Sequence, residues 1–274
     1  MQTDRRGFAK LALAGGLTTL ASGARPGHAA DKPFVHAIPA DISSLDPADI
    51  RSQQDQEIGV NIYERLVQMK FEEQPNGTLR AHPTEVVPQL AESWVVDGPV
   101  ITFRLRPGVK FYPTGNPMTS EDVRYSFERL VRITGNGRNQ AGIAGIFKAE
   151  QIEAVDPLTV RFHLKEPYAP LLSNLAYPTG LLVSPAAVRA AGKEFGRSPV
   201  GTGAYRFAQW ESNAKVVLER NADYWDGAPT LQAVIFRPLT DANTRLTELL
   251  AGGLDLMVEV PPDAVDLLRK AGGF

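Results

Sequence analysis

Histidines, neighbouring carboxylates, a glycine-rich turn and scattered aromatics are the residues of this chain whose types could do chemistry. There are 4 histidines and no cysteine. Thiolate nucleophiles, disulfides and cysteine-held metals are therefore excluded. His28, His36, His82 and His163 form no His-x-x-x-His or Glu-x-x-His pair, so no protein-built zinc or iron site and no cofactor is expected. His163 alternates with Phe162 and Leu164, which predicts a solvent-face or interlayer side chain. Glu121 and Asp122 fall in what reads as a first helical turn, where they suit the positive end of the helix better than acid/base work. Gly201-Thr202-Gly203 lacks the third glycine of a dinucleotide loop, because Arg206 stands there, and a strand follows instead of a helix. Neither a Gly-x-Ser-x-Gly elbow nor a Walker-type loop is present. Binding is the better expectation. Tyr63, Tyr168, Tyr177, Tyr205, Trp210, Tyr224 and Trp225 lie near turns and are candidates for a flat, semi-polar cleft wall.

Composition narrows the partners. With 29 Lys plus Arg against 31 Asp plus Glu in 274 residues, no broad basic surface exists for a phosphate backbone, and nucleic acid is not expected. Arg5-Arg6, Phe8 and Lys10, followed by the mildly apolar run Leu11–Ala24 and then Arg25, read as a twin-arginine export signal. That run is too short and too rich in small residues to span a bilayer. Gly27-His28-Ala29 places small residues for cleavage, predicting a signal peptide over 1–29 and a mature terminus at Ala30.

The elements that must position any site follow from periodicity. Val35–Ile38 predicts a strand, ended by the turn Ser44-Leu45-Asp46-Pro47. Ile58, Ile62, Leu66 and Val67 recur at helical spacing, predicting a helix from about Asp55 to Val67. Glu72 to Pro88 reads as a loop or an irregular hairpin. Ile101–Arg106 alternates as a half-buried strand, and Thr119 with Asp122 predicts a helix starting at Ser120. Thr134–Gly145, rich in Gly and Asn, reads as a mobile loop. Strands are expected around Val160–Leu164, Val216–Leu218, Val234–Phe236 and Leu254–Val260, with helices over Asp241–Leu250 and after Pro261-Pro262. Such mixing points to α/β or α+β layers. Arg269–Phe274 resembles a helix cap that normally leads into more chain.

In order along the chain, Ser44–Pro47, Ile62–Val67, Pro88–Trp94, Phe103–Phe111, Thr119–Phe127, Leu164–Tyr168, Pro199–Tyr205 and Leu218–Trp225 resemble blocks of the family 5 extracellular solute-binding proteins, the peptide- and nickel-binding components of ABC importers. The resemblance implies a mixed α/β, two-lobed periplasmic binding protein of type II, truncated here to the N-terminal lobe and its extra subdomain. It places a first segment of lobe I at 30–67, an inserted subdomain at 68–195 and a second lobe I segment at 196–274. It also implies a non-enzymatic, monomeric, periplasmic protein. Such a protein traps a peptide or similar small solute by hinge closure and hands it to permease subunits in the inner membrane.

In the family the loop after Asp46-Pro47 faces the ligand, which makes Arg51, Ser52, Gln53 and Gln54 the candidate contacts, with Tyr177 a further one. Arg51 would pair with a carboxylate and Gln53 with backbone-like groups. Gly201-Thr202-Gly203 is expected to make a tight turn where the chain returns to the first lobe. Peptides, nickel chelates, glutathione, opines and sugars all remain open as ligands. Two other functions stay open beside transport: a cofactor-bearing redox enzyme exported by the twin-arginine route, and a chaperone or sensor on the same scaffold.

Overall fold

The computed structural model describes residues 32–133, 136–143, 145–146 and 148–271. The expected export signal and cleavage site lie outside the described residues, as does the end of the expected C-terminal cap. In chain order the elements are β1 (Phe34–Ile38), α1 (Gln53–Ile62), β2 (Val67–Glu73), β3 (Leu79–Pro88), β4 (Ala91–Asp97) and β5 (Val100–Leu105). Then come α2 (Ser120–Arg132), α3 (Asn136–Ile143), β6 (Ile152–Asp156), β7 (Thr159–His163), α4 (Leu171–Leu175) and α5 (Pro185–Ala191). Last are β8 (Tyr205–Glu211), β9 (Lys215–Arg220), β10 (Ala233–Pro238), α6 (Ala242–Leu250), β11 (Leu256–Met257) and α7 (Val265–Ala271). The expected mixture of strand and helix is what forms.

The chain divides into two compact units. One contains the chain up to Ile42, Pro75–Thr78 and everything from Ala204; the other contains Ser43–Gln74 and Leu79–Gly203. The first unit is built on a five-stranded sheet in the order β11-β1-β10-β9-β8. β1 runs parallel to both β10 and β11, and the other pairs are antiparallel. β9 and β10 each bury one face through Val216 and Leu218 and through Val234 and Phe236, and β1 buries Ala37 and Ile38 beside them. α6 and the β11 region close one side through Ala37, Leu249, Leu254 and Met257, with Leu246 and Leu268 packed against them.

The second unit carries the β2–β3 hairpin and a four-stranded antiparallel sheet in the order β4-β5-β7-β6. α2 buries Val123, Phe127 and Leu130 at helical spacing, and Phe127 meets Phe162 edge-on at 5.1 Å. Phe162 in turn meets Phe103 at 5.3 Å. At the helix start the Asp122 carboxylate accepts from the Thr119 backbone N–H at 2.7 Å and from its hydroxyl at 3.0 Å. The acid three residues in therefore caps the chain entry, as the Thr-x-x-Asp spacing predicts.

Several expectations are corrected. The helix expected to reach Val67 stops at Ile62, because the Ile62 carbonyl accepts from Gly203 N–H at 2.9 Å instead of from the next helical turn. Val67 then opens β2, and of the two readings of 72–88 the irregular hairpin is the one that forms, β2 pairing with β3 with a bulge between Met69 and Phe71. Residues 136–143 form helix α3, not a loop: Asn136 Nδ2 donates to the Ile50 carbonyl, and Gln140 and Ala141 are buried. Tertiary contacts outweigh the weak helix propensity of Gly and Asn there. The strand expected over Leu254–Val260 is only β11, since Glu259 has φ 56° and breaks the extended run. β4 was not anticipated at all.

Candidate functional site

The loop between β1 and α1 is held by charge. Asp55, fully buried in the first turn of α1, accepts four hydrogen bonds: Ser43 N–H at 2.8 Å, Ser43 Oγ at 2.8 Å, Arg51 N–H at 3.0 Å and Ser52 N–H at 3.1 Å. Burial works to raise its pKa, but the donors from Arg51, Ser43 and Ser52 outweigh it and hold the carboxyl below the usual range. Ser52 completes the cap, its Oγ accepting Asp55 N–H at 3.0 Å.

A second carboxylate fixes the stretch upstream. Asp46 Oδ1 accepts Ala48 N–H at 3.0 Å and Arg129 Nη1 at 2.7 Å, while Oδ2 accepts Arg129 Nη2 at 2.5 Å. The two-handed pair is largely buried, and the guanidinium lies 5.7 Å from the centre of the Phe195 ring. The backbone from Ser43 to Ser52 is thus pinned at both ends before any ligand arrives.

This frame decides where each expected contact stands. Arg51, Ser52, Gln53 and Gln54 are brought together on one helix start. Arg51 and Gln53 point to solvent, and Ser52 and Gln54 are partly buried. The Arg51 guanidinium rests on Asp49 Oδ1 at 2.9 Å from Nε and 2.5 Å from Nη2, an exposed pair that a stronger acid could exchange. Tyr177 is not part of this group. It precedes a separate 3-10 turn, Pro178–Gly180, and its side chain is 57% exposed. Helix α3 reaches towards both places: Asn136 holds the Ile50 carbonyl, and the Ile143 carbonyl accepts Asn174 Nδ2 at 2.6 Å and the Tyr168 hydroxyl at 3.3 Å.

Other candidates resolve into structure. Tyr63 and Tyr205 are core residues rather than cleft walls. Burial first, then the Asp46 charge, pushes the Tyr63 hydroxyl well above its usual range. Trp210 donates to Asp41 at 3.2 Å, and Tyr224 packs on Trp225 at 5.5 Å. His163 is on the solvent face, 2.8 Å from Glu153. Gly201 and Gly203 make no left-handed turn: a Cβ on Gly201 would lie 2.0 Å from the Ile62 carbonyl oxygen, and one on Gly203 would lie 2.4 Å from that of Asn61. These glycines let two backbones touch.

Glu72, His82 and Glu85 on the hairpin gather ligand-type atoms within 4.8 Å of one another. The Lys70 ammonium already sits at 2.9 Å from Glu85 and 3.5 Å from Glu72. His82 Nδ1 accepts Glu85 N–H at 2.9 Å, which leaves the ring proton on Nε2, the nitrogen a metal would need. The group is a surface ion-pair cluster. A cavity of about 300 Å³ between α2 and α5 includes none of the five expected contacts. Its arginines are engaged: Arg124 with Glu121 and Glu128, and Arg189 over the Tyr125 ring at 5.6 Å.

Sequence reasoning missed Asp55, Asp46–Arg129 and Asn136 as the frame of the site. Ser52-x-x-Asp55, a capping-box spacing, was the available signal for the first.

Residues 85–274 match the family described as bacterial extracellular solute-binding proteins, family 5, middle part. The glutathione-binding protein GsiB of Pectobacterium atrosepticum is 34% identical over 245 residues, covering 88% of this chain and 45% of that protein. DppA of Helicobacter pylori, solved in complex with the peptide STSA, superposes with a TM-score of 0.76 at 31% identity over 87% of this chain and 49% of its own. The murein tripeptide binding protein MppA of Escherichia coli has a TM-score of 0.76 at 28% identity, with 87% and 48% covered. The chain thus spans about half the length of the relatives it matches. It belongs to the bacterial extracellular solute-binding proteins of family 5.

Proposed function

We propose that this chain forms the first part of the extracytoplasmic receptor of an ABC importer, which captures a short peptide or a similar carboxylate-bearing solute and passes it to the permease. The observation that carries the reading is the match to a glutathione-binding protein over 88% of the chain. The structures bound to, or named for, peptides point to the same ligand class. Glutathione, a tetrapeptide and a murein tripeptide share free carboxylates on a peptide backbone. An outward arginine on a rigid loop complements that chemistry. Within this reading the unit built on the five-stranded sheet is part of lobe I, and 68–195 belongs to an inserted subdomain. Ligand acts by favouring a closed form over an open one, with no covalent step, so no enzymatic activity is expected. Residues 1–29 direct export to the periplasm by the twin-arginine route.

Thermal stability measured with glutathione, tripeptides, opines and nickel chelates tests the ligand class. A ligand that binds only the folded form, at a hundredfold over its Kd, adds about 2.7 kcal/mol. A peptide-like acid that raises Tm, with the gain reduced by Arg51→Ala, supports the reading. No response to any peptide-like acid, with a clear response to a neutral sugar, overturns the ligand class. Export of a reporter fused to residues 1–31, lost on Arg5→Lys with Arg6→Lys, tests the route.

A further inference from the structure

Arg245, in the second turn of α6, is only 2% exposed. One edge of its guanidinium is used: Nη1 donates to the Leu239 carbonyl at 2.6 Å and to that of Thr240 at 3.1 Å. The other edge, Nε with Nη2, is the one that grips a carboxylate two-handed. There Nε has no hydrogen-bond partner, and Glu259 Oε2 stands 3.9 Å from Nη2, outside hydrogen-bond range. A buried cation whose carboxylate-binding edge makes one long ion pair and no hydrogen bond is unfavourable and draws that acid closer. Glu259 is itself strained, with φ 56° in a region side-chain-bearing residues seldom occupy, and its side chain is 62% exposed.

Topology puts these two residues at one place for a reason. β1 runs parallel to β10 and β11, so β10 and β11 end on the same edge of the sheet. Leu239 and Thr240 follow β10, and Glu259 follows β11. Arg245 therefore bridges the exits of two strands. Directly beyond Glu259 come Val260, Pro261, the 3-10 turn Pro262–Ala264 and α7, whose Leu268 packs beside Leu246, Leu249 and Met257. The two prolines transmit a backbone shift at Glu259 to α7 with little slack.

We infer that Arg245 and Glu259 form a latch. In its closed position the Glu259 carboxylate moves the remaining distance onto the Nε–Nη2 edge, and the backbone at 258–260 leaves its strained conformation. The movement carries Pro261–Pro262 and seats α7 against α6. In its open position, the one this structure holds, the carboxylate is in solvent and Leu268 is what holds α7 to the core. The latch thus sets the direction in which the chain leaves the parallel edge of the sheet.

Hydrogen exchange of the α7 amides, with tryptic cleavage at Arg269 and Lys270 as a second readout, tests this on the 274-residue chain. Glu259→Gln keeps the shape and removes the charge, and should speed α7 exchange by about threefold or more, the scale of one partly buried ion pair, while β9 and β10 amides stay unchanged. Glu259→Gly separates latch from strain. It relieves the backbone, so a role in strain alone predicts slower α7 exchange, whereas the latch predicts faster exchange, as for Glu259→Gln. Arg245→Lys keeps the charge without the fork and should resemble Glu259→Gln if it folds. The Glu259 variants are at an exposed position and carry the test if it does not. Unchanged or slower α7 exchange in both Glu259 variants overturns the latch.

Discussion

Among the places where the chain passes from one compact unit to the other are those near Ser43 and near Gly203, and helix α1 holds the segments beside these two by opposite means. At its N-terminal end Asp55 gathers Ser43, Arg51 and Ser52 through a buried carboxylate. At its C-terminal end the contact is backbone to backbone: Gly203 N–H meets the Ile62 carbonyl at 2.9 Å, and the lack of side chains at 201 and 203 permits the approach. One anchor depends on an ionised group and its donors, the other on space alone. Polar anchors respond to pH and to conservative replacement, whereas steric anchors respond to a single methyl.

The largest effect should come from that methyl. Gly203→Ala or Gly201→Ala forces a Cβ to within 2.4 Å or 2.0 Å of a carbonyl oxygen. A loss of about 3–4 kcal/mol is expected in urea unfolding, and a loss below about 1 kcal/mol would mean the passage adjusts freely.

Asp55→Ala comes next. It strands the buried donors of the Ser43–Ser52 loop, which should reduce stability by about 2–3 kcal/mol. Asp55→Asn should be milder, because an amide oxygen still accepts. Equal losses for the two would show that charge is not what holds this anchor.

Acid sharpens the contrast. The folded Asp55 carboxyl lies below its usual range, so its contribution is present above the unfolded pKa of about 3.9 and is lost only as pH falls through the folded value. The glycine anchor has no group to titrate. Between the anchors, burial pushes Glu57 up to about 7. Its effect is therefore opposite: α1 is most stable below the unfolded pKa of about 4.3 and loses stability as pH rises through 7. In the other unit, burial lowers His36 to about 4, so β1 is fully stable above the unfolded pKa of about 6.5 and loses stability as pH falls through 4. From pH 7 to 5, protection of the amides, measured relative to their intrinsic exchange rate at each pH, should rise in α1 and fall in β1. Glu57→Gln and His36→Leu should each abolish one trend, and a uniform response of both units would refute the assignment.

The smallest effect belongs to Asp49→Asn. Its pair with Arg51 is exposed, so stability should change by less than about 0.5 kcal/mol. Affinity for an acidic ligand should rise if Arg51 is thereby released, and a fall would argue that Asp49 orients the arginine.

The contrast between the anchors also explains what could be foreseen. Ile101–Arg106 and the start of α2 were legible because alternation and the Thr119-x-x-Asp122 spacing act within a few residues. α3 was not, since a Gly- and Asn-rich stretch is helical only where Asn136 finds the Ile50 carbonyl and Gln140 is covered. The end of α1 was misplaced because the partner that takes the Ile62 carbonyl is Gly203, far along the chain. Of the candidate contacts, Arg51 to Gln54 share one helix start, and Tyr177 stands on a separate turn before Pro178.

By itself, the sequence determined the strongly periodic elements such as β5 and α2, the lack of thiols and of paired histidines, and the mixed α/β class, because local periodicity and side-chain chemistry need no partner. Tertiary structure alone decided which carboxylate holds the loop, why residues 201 and 203 must be glycine, and that Glu259 stands 3.9 Å from Arg245. Those outcomes depend on atoms distant in sequence arriving within 2–4 Å of one another, and on burial, which gives a charge or a methyl its energetic weight.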